Sequence, residues 1–467
     1  TYDSLFQSQT DLPLNTGISQ GPLAFYGITD IATDPNDPDK LWVSFNGFNE
    51  NGLARVYRSE DGGEKWYEYS DGLPQFPVNR LIYQEGSNDL LYAATDVGVY
   101  YRDSSMSYLD GGWKCFSNDL PICAVSDLEI DYCEKKLYAS TMGRGAWITD
   151  IIEDNTDSEI TIDSDETWDS DRRIRQTLIT IETGNTLTIE AVIKLPVGAK
   201  IVVEPGAKLI VDGGTLTCLC GMWQGIQLHG NRYENQSWPT STYQGIVELK
   251  NDAVIEQARV GIDVIDLADI GNSGGGIVKA EDATFLNCRK AVAFGPFRKH
   301  TNISQFTDVN FLTNAPLNDP AYGGVGTPEF VSIWDCYGIK FYDCNFEFEK
   351  DNPNFTTPIS QSQWPTAITG HSAGYMLLKN TTGNTFKNLL NGLLGYGYWD
   401  KKTRFILPIA PSIMFIAGQI FTPIQVSTCI TDYTNCQNQP LLRTGLTVLW
   451  VVGTSVTVLP QTSINLW

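Results

Sequence analysis

The amino-acid sequence predicts an all-β protein in which a partial β-propeller of about three blades is followed by a right-handed parallel β-helix. The composition is the first reason, because 42 Gly, 22 Pro and 21 Tyr in 467 residues suit many strands joined by tight turns. The second reason is a repeat of about fifty residues near the start of the chain. The third is a series of very short alternating strands, exemplified by the run from Ala199 to Thr217.

The N-terminal region contains three similar copies of a strand–turn–strand pattern. The copies ITDIATDPNDPDKLWVSF, VNRLIYQEGSNDLLYAAT and VSDLEIDYCEKKLYAST begin at Ile28, Val78 and Val125. A further apolar strand follows each copy, in ARVYRS, GVYYRD and GAWITD. A period of about 40 to 50 residues with about four strands is typical of propeller blades. We therefore predict that residues 1–152 are the C-terminal blades of a β-propeller.

The segment SEDGGEKW, from Ser59 to Trp66, carries the most specific motif of this region. Its pattern S-x-D-x-G-x-x-W resembles the Asp-box of sialidase-like and sortilin-like (BNR-type) β-propellers. We expect Asp61 to accept backbone N–H bonds in a hairpin turn, Gly63 to take a positive φ, and Trp66 to pack between blade sheets. The motif predicts a structural role and no catalysis.

The third copy ends in TMGRGAWITDI, where Gly143, Arg144, Gly145 and Trp147 form a G-R-G-x-W run. This run resembles the closing blade of proteins with BNR-like propellers, and we expect it to be structural. A closed propeller usually has more than three blades, so we expect the missing blades to lie upstream of Thr1. Sialidases need an arginine triad and a Tyr–Glu pair, and a partial propeller does not supply that site.

Residues 153–171, EDNTDSEITIDSDETWDSD, are rich in carboxylates. Carboxylates bind calcium, but this segment lacks the Gly-centred twelve-residue loop of an EF-hand. We therefore predict an acidic, solvated linker between two domains. Calcium is not indicated, and no cofactor or metal is predicted for the chain.

Residues 172–403 show the pattern of a parallel β-helix. In the run IVVEPGAKLIVDGGTLT, strands of four or five residues alternate with Pro-Gly and Gly-Gly turns. Such short strands are unstable alone, but they become stable when each coil of chain lies on the previous one and hides its apolar side chains. The later segments QGIVELKNDAVIEQARVGIDVID and GGIVKAEDATFLNCRKAVAF repeat the same form.

The run IVVEPGAKLIVDGGTLT followed by WQGI at residues 223–226 resembles right-handed β-helix proteins that Gram-negative bacteria export by type IX secretion. A propeller often precedes the β-helix in that family. The resemblance covers most of residues 28–400 and implies a secreted or cell-surface protein. The family's C-terminal sorting domain is absent from this sequence.

Residues 404–467 differ in character from the preceding coils. The stretch RFILPIAPSIMFIAGQIFTPIQVSTCITDY has few charges and almost no Gly-Asn corners. A buried terminal segment and an amphipathic cap are two interpretations. The one we favour is a shifted reading frame, since suitable codons read one frame over give ordinary β-helix text. Resequencing the gene across Lys402 tests this hypothesis, and an intact frame there would remove it.

Net charge and hydropathy narrow the range of functions that the sequence allows. A formal net charge of −23 repels phosphate backbones, so nucleic-acid binding is not expected. No apolar stretch is long enough for a membrane-spanning helix. The ten cysteines lack zinc-site spacing. They could form disulfides in an exported protein or serve as small buried apolar residues. The oligomeric state cannot be predicted.

Catalytic residues are not evident. His229, His300 and His371 occupy no metal-ligand spacing. Polysaccharide hydrolases and lyases on β-helices need clustered carboxylates. The candidate carboxylates follow no recognisable motif; they are Asp252, Asp263, Asp266 and Asp282.

Aromatic residues in two projecting loops offer a binding alternative. Tyr233, Trp238, Tyr243 and Trp364 could stack on sugar rings, although covering the solenoid flank is the simpler interpretation. We predict an extracellular or outer-surface repeat protein with a non-catalytic adhesive or glycan-binding role. Its expected partners are glycans or other cell-surface material. The alternative is a polysaccharide-degrading enzyme, a lyase or glycoside hydrolase, on the β-helix.

Overall fold

The computed structural model describes most of the chain between Gly27 and Tyr396. The described residues are 27–48, 54–106, 111–117, 119–153, 159–265, 269, 271–317, 319 and 329–396, with the backbone of five short strands beyond residue 403. The chain divides into two compact units. The first comprises Thr1–Asp157 with Ser170–Arg175, and the second comprises Ser158–Asp169 with Gln176–Trp467.

The first unit contains three small antiparallel sheets, which correspond to the three sequence copies. The first two sheets have four strands each and the third has three. Their strands are β1 (Ile28–Asp34), β2 (Asp37–Phe45), β3 (Val56–Ser59), β4 (Tyr67–Glu68), β5 (Val78–Tyr83), β6 (Leu91–Thr95), β7 (Gly98–Arg102), β8 (Lys114–Cys115), β9 (Val125–Asp131), β10 (Lys136–Thr141) and β11 (Gly145–Asp150).

Aromatic and aliphatic side chains join successive sheets of the first unit. One buried cluster combines Trp42 from the first sheet with Tyr83 and Leu91 from the second, and the rings of Trp42 and Tyr83 stack with centroids 5.5 Å apart. A second buried cluster joins the second and third sheets through Tyr92 and Leu128. This sheet-on-sheet packing is propeller-like, as the repeat predicted.

The second unit is a stack of coils in parallel register. Its strands form three columns along the stack. Each coil contributes one strand, or one half of a longer strand, to a column. The two-residue strand β14 (Arg172–Arg173) belongs to the first unit and lies between β13 and β15 along the chain, whereas the other strands from β12 to β36 belong to the second unit. They are β12 (Glu159–Ile162), β13 (Glu166–Trp168), β15 (Leu178–Ile181), β16 (Thr186–Ile189), β17 (Val192–Lys194), β18 (Lys200–Val203), β19 (Lys208–Asp212), β20 (Thr215–Thr217), β21 (Gly225–Leu228), β22 (Ile246–Lys250), β23 (Ala253–Glu256), β24 (Val260–Asp263), β25 (Ile277–Leu286), β26 (Lys290–Phe294), β27 (Gln305–Thr313), β28 (Glu329–Trp334), β29 (Tyr337–Tyr342), β30 (Asn345–Phe348), β31 (Thr366–His371), β32 (Gly374–Leu378), β33 (Thr385–Lys387), β34 (Asn391–Tyr396), β35 (Arg404–Ile406) and β36 (Phe415–Ile416).

The core of the second unit consists of identical or similar side chains stacked from coil to coil. One buried aliphatic column follows the register of the nine-stranded sheet; it contains Ile179, Ile201, Ile226, Ile262, Val292, Val331 and Ile368. One aromatic column contains Phe285, Phe311, Phe346 and Phe386, whose successive ring centroids are 5.4, 4.5 and 5.1 Å apart. The predicted fold class is therefore confirmed as all-β, with parallel β-helix packing after the propeller-like part.

Two observations refine the predicted domain limits. Strands β12 and β13 lie within residues 153–171, where an acidic linker was predicted, yet they pair in parallel with β15 and β16. At the other end, β35 and β36 continue the parallel register past residue 403. Strands β37 (Gln425–Val426), β38 (Thr447–Val452) and β39 (Ser455–Val458) form a separate antiparallel sheet. Most residues to which the reading-frame hypothesis applies lie outside the described residues, so it stays a prediction.

The described residues contain one short 3-10 helix, Gln361–Gln363. Among them, no helix has the length and hydropathy that a membrane crossing requires.

Candidate functional site

The SEDGGEKW motif forms a closed hairpin turn in the first sheet. Asp61 Oδ1 accepts the Lys65 N–H at 2.7 Å, and this bond is the main cause that lowers the pKa of Asp61. Gly63 has φ +92° and donates its N–H to Ser59 Oγ at 2.9 Å. The Trp66 indole donates to the Gly63 carbonyl at 2.9 Å. All four residues therefore maintain a turn.

Trp66 belongs to a buried cluster on the first sheet. The other members of the cluster include Leu41, Val43, Phe45 and Tyr57, which lie on β2 and β3. The packing of Trp66 between two blade sheets stays a prediction, because residues 1–26 lie outside the described residues.

The G-R-G-x-W run forms the turn into the edge strand β11. Gly143 and Gly145 have φ +82° and +75°, and the Trp147 indole donates to the Arg144 carbonyl at 3.1 Å. Every residue of β11 is exposed, including Trp147. These four residues shape a hairpin, and no described contact gives them a catalytic partner.

Three of the four candidate aromatic residues lie on one loop of the second unit. This loop, Asn231–Gln244, is called here the Trp238 loop. Gln244 closes it, because the buried side chain accepts the Asn231 N–H at 3.0 Å and donates to the carbonyls of Asn231 and Glu234 at 2.9 and 3.1 Å. The loop is therefore held in one shape from within.

Gln236 attaches the Trp238 loop to neighbouring coils. Its Nε2 donates to the Gly275 carbonyl at 2.7 Å, and its Oε1 accepts the Ile303 N–H at 2.7 Å. The Tyr233 carbonyl accepts a further bond from Lys299 Nζ at 3.1 Å. These bonds connect the loop to two later segments of the chain.

Trp238 is the most distinctive side chain of the loop. Its ring is 41% exposed, and the ammonium groups of Lys208 and Lys279 lie 4.9 and 5.6 Å from its ring centroid. Cation–π attraction of this kind holds an exposed indole in a defined orientation. One part of the indole therefore remains accessible to a ligand while the lysines position the ring.

Tyr233 and Tyr243 are also exposed on this loop, by 45% and 52%. The Tyr233 hydroxyl donates to the Gly271 carbonyl at 3.2 Å, and the Arg232 guanidinium lies 5.1 Å from its ring centroid. Tyr233 is therefore fixed in place like Trp238.

Trp364 belongs to another part of the surface. It follows the 3-10 helix, its ring centroid lies 6.2 Å from that of Phe348, and its indole N–H donates to the Ile359 carbonyl at 3.4 Å. The ring is only half-buried but covers a coil flank. The structure thus brings Tyr233, Trp238 and Tyr243 onto one loop and gives Trp364 a separate packing role.

The sequence analysis missed a second aromatic group. Trp334, His371 and Tyr396 occupy the same register position at the ends of β28, β31 and β34. The rings of His371 and Tyr396 stack with centroids 4.8 Å apart. Aromatic residues at the ends of successive rungs were the signal for this group. Because stacked rings cover one another's faces, they offer a sugar less open face than Trp238 does.

The other two histidines have different surroundings. His229 Nδ1 lies 3.2 Å from Glu204 Oε2, on the strand edge next to the Trp238 loop. His300 Nε2 lies 3.0 Å from the Tyr233 carbonyl. Within the described residues, no group of three or more His, Cys, Asp or Glu side chains could hold a metal ion.

The candidate carboxylates do not share one surface. Asp252 and Asp282 are at one corner of successive coils, with φ +64° and +48°, and the Asp252 N–H donates to the Asp282 carbonyl at 2.7 Å. Asp263 belongs to the nine-stranded sheet, where its Oδ1 accepts the Ile265 N–H. Asp266 lies outside the described residues.

Two further aspartates continue the corner column. Burial, with repulsion from Asp343 and Asp282, raises the pKa of Asp308. Burial alone would also raise the pKa of Asp343, but N–H groups of Thr381, Gly383 and Asn380 outweigh it and lower the pKa. Their distances to the carboxylate are 2.8, 2.5 and 3.1 Å. Asp343 therefore organises a turn.

Comparison with known proteins adds a limited similarity. No protein-family model matches the chain. Over 101 residues the chain is 27% identical to a xyloglucanase of Acetivibrio thermocellus. The matched segment is 20% of this chain and 12% of that enzyme, far below two thirds of the relative's length.

Proposed function

We propose that this protein is an exported, cell-surface module that binds glycans without degrading them. The observation that carries the proposal is the half-exposed Trp238 ring on a loop whose shape is fixed by Gln244 and Gln236. Carbohydrate sites commonly combine an aromatic surface with a few fixed polar groups. A rigid loop also lowers the entropy cost of binding.

Two further observations support this role. The partial similarity to a xyloglucanase agrees with carbohydrate as the ligand class. Cys133 and Cys220 each take part in a disulfide bond, and disulfides persist in oxidising compartments such as the cell exterior. Export by type IX secretion remains our proposal from the sequence resemblance.

Glycan binding is tested by measuring retention of the purified chain on a panel of immobilised polysaccharides. We expect Trp238→Ala to reduce affinity about tenfold, since the stacking surface is lost. Trp147→Ala removes an exposed indole from the first unit and is the matched control. Equal retention of both variants and the parent would contradict a role for Trp238.

Surface location is tested separately by labelling intact and lysed source cells with an antibody against the chain. We expect intact cells or the culture medium to carry the signal. Signal confined to lysed cells would exclude the proposed location while leaving the glycan-binding result unaffected.

A glycoside hydrolase is the second candidate, favoured by the similarity to a xyloglucanase and by Asp308, which lies next to Asp282 and Asp343 in the corner column and has a raised pKa. A carboxyl group with a raised pKa is the usual general acid of such enzymes. New reducing ends from any polysaccharide of the panel, abolished by Asp308→Asn, would favour this candidate. Retention without new reducing ends favours the binding module.

A further inference from the structure

We propose that the surface beside Trp238 selects anionic polysaccharides, with a sugar ring on the indole and its acidic group on a column of lysines. This inference rests on the proposed function and names its ligand class. The protein as a whole has a formal net charge of −23. A locally basic surface on such a protein is an exception that requires a physical explanation.

The lysine column follows from the coil register. Lys279 on β25 is in register with Gln305 on β27, and Gln305 is in register with Lys340 on β29. Neighbouring strands are about 4.8 Å apart, so the two lysine positions are separated by about 10 Å across the coils. Gln305 places an amide between them, and Glu248 on β22 is in register with Lys279 on the preceding coil. Along one outward face the column therefore reads carboxylate, cation, amide and cation.

The Trp238 loop places its indole at one end of this column. Lys279 Nζ lies 5.6 Å from the Trp238 ring centroid, and it donates to the Ile303 carbonyl at 2.5 Å. Lys208, whose ammonium group lies 4.9 Å from the same ring centroid, pairs with Glu248 at 2.6 Å. A ligand on the exposed part of the indole is thus within reach of Lys279 and of the positions that follow it.

Two lysines of this surface form no salt bridge within the described part of the chain. Lys208 pairs with Glu248, which is in register with Lys279, whereas Lys279 and Lys340 have no salt bridge there. Glu281 occupies the next outward position after Lys279 on β25 and is exposed. Burial, and next the charge of Lys340, lowers the pKa of Lys279. A bound anion would offset this repulsion between two ammonium groups.

The two requirements together define the ligand. An aromatic ring favours the apolar face of a sugar, and two ammonium groups without a salt bridge in the described part of the chain favour a negative charge on the same or the adjoining sugar. Carboxylate and sulfate groups share this chemistry. Neutral glycans would use Trp238 alone and should bind more weakly.

The test compares ligands that differ only in charge. Polygalacturonate and its fully methyl-esterified form have the same backbone, so we expect the full chain to bind the acid form more tightly and in a salt-dependent manner. Lys279→Gln/Lys340→Gln should reduce affinity for polygalacturonate about five-fold and leave the ester unchanged. Lys340→Gln alone is a second variant, because the Lys340 side chain forms no hydrogen bond with any residue that the structure describes.

The matched control is Lys114→Gln/Lys194→Gln, which removes two positive charges from other strands. Retained binding in this control together with loss in Lys279→Gln/Lys340→Gln supports the proposal. Dextran sulfate binding with the same lysine dependence extends the ligand to sulfates, and failure of dextran sulfate restricts it to carboxylates; both results support anion selection.

Three outcomes would overturn the proposal. One is equal affinity for polygalacturonate and its ester, with both lost in Trp238→Ala; glycan binding would then stand and anion selection fail. The second is unchanged polygalacturonate binding in both lysine variants. The third is tighter binding of oligo-dT than of any glycan, which would indicate a nucleic-acid surface. Failure of every glycan to bind would remove the proposed function itself.

Discussion

Single residues at the coil corners combine an unusual backbone conformation with a carboxylate. Asp252, Asp282, Asp308 and Asp343 all have φ between +48° and +64°. Asp and Asn tolerate this left-handed region better than most residues, which explains their presence at consecutive corners. Stacking them on successive coils brings like charges together. The electrostatic cost falls on Asp308, whose pKa is raised, whereas N–H groups lower the pKa of Asp343.

Asp308→Asn tests this cost. The pKa of Asp308 is raised by burial and then by Asp343 and Asp282, so its ionisation opposes folding. The residue's contribution to stability is complete below its unfolded pKa and decreases as pH rises through its folded pKa. We expect Asp308→Asn to raise the melting temperature at pH 7 and to have no effect near or below about pH 3, where both forms are neutral.

The control for Asp308→Asn is Asp252→Asn, which makes the same replacement at another left-handed corner. Thermal unfolding followed by circular dichroism at the two pH values provides the measurement. A lower melting temperature of Asp308→Asn at pH 7 would show that the carboxylate is a net stabilising group.

At the scale of structural elements, the coils depend on like side chains that stack along the solenoid. Phe346 is fully buried between Phe311 and Phe386, with ring planes within 3° of parallel. Since each strand of the second unit is short, most of its stability comes from contacts between coils and little from the strand itself.

Phe346→Ala should therefore lower the free energy of unfolding by about 3–5 kcal/mol. Phe346→Leu keeps most of the volume and should cost less than about 1.5 kcal/mol. Urea unfolding monitored by circular dichroism compares the two. If Phe346→Ala and Phe346→Leu lower the free energy of unfolding equally, ring stacking contributes more to the stability of this column than the volume that the side chain fills.

For the whole molecule, the excess of acidic residues controls behaviour in solution. The formal net charge is −23 and the sequence pI is about 4.4. Mutual repulsion keeps such molecules apart at neutral pH, and this repulsion disappears near the pI. We expect the lowest solubility near pH 4.4, measured by light scattering across a pH series. A solubility minimum above pH 6 would contradict this expectation.

The sequence by itself determined the fold class and the order of the coils. Apolar residues at every second position, interrupted by Gly, Asn and Asp, encode short strands and corners locally, without reference to distant residues. The propeller-like copies were visible for the same reason. The strands β12 and β13 were missed because their carboxylates concealed the alternation of apolar residues in the predicted linker.

Only the tertiary structure decided which side chains surround Trp238. Lys208 precedes it by thirty residues and Lys279 follows by about forty, and no local pattern relates the three. Their proximity depends on parallel register, which places residues of different coils about 4.8 Å apart, and on the closure of the Trp238 loop by Gln244 and Gln236. Contacts between coils are non-local, so the candidate site is defined by stacking and the fold class by sequence pattern.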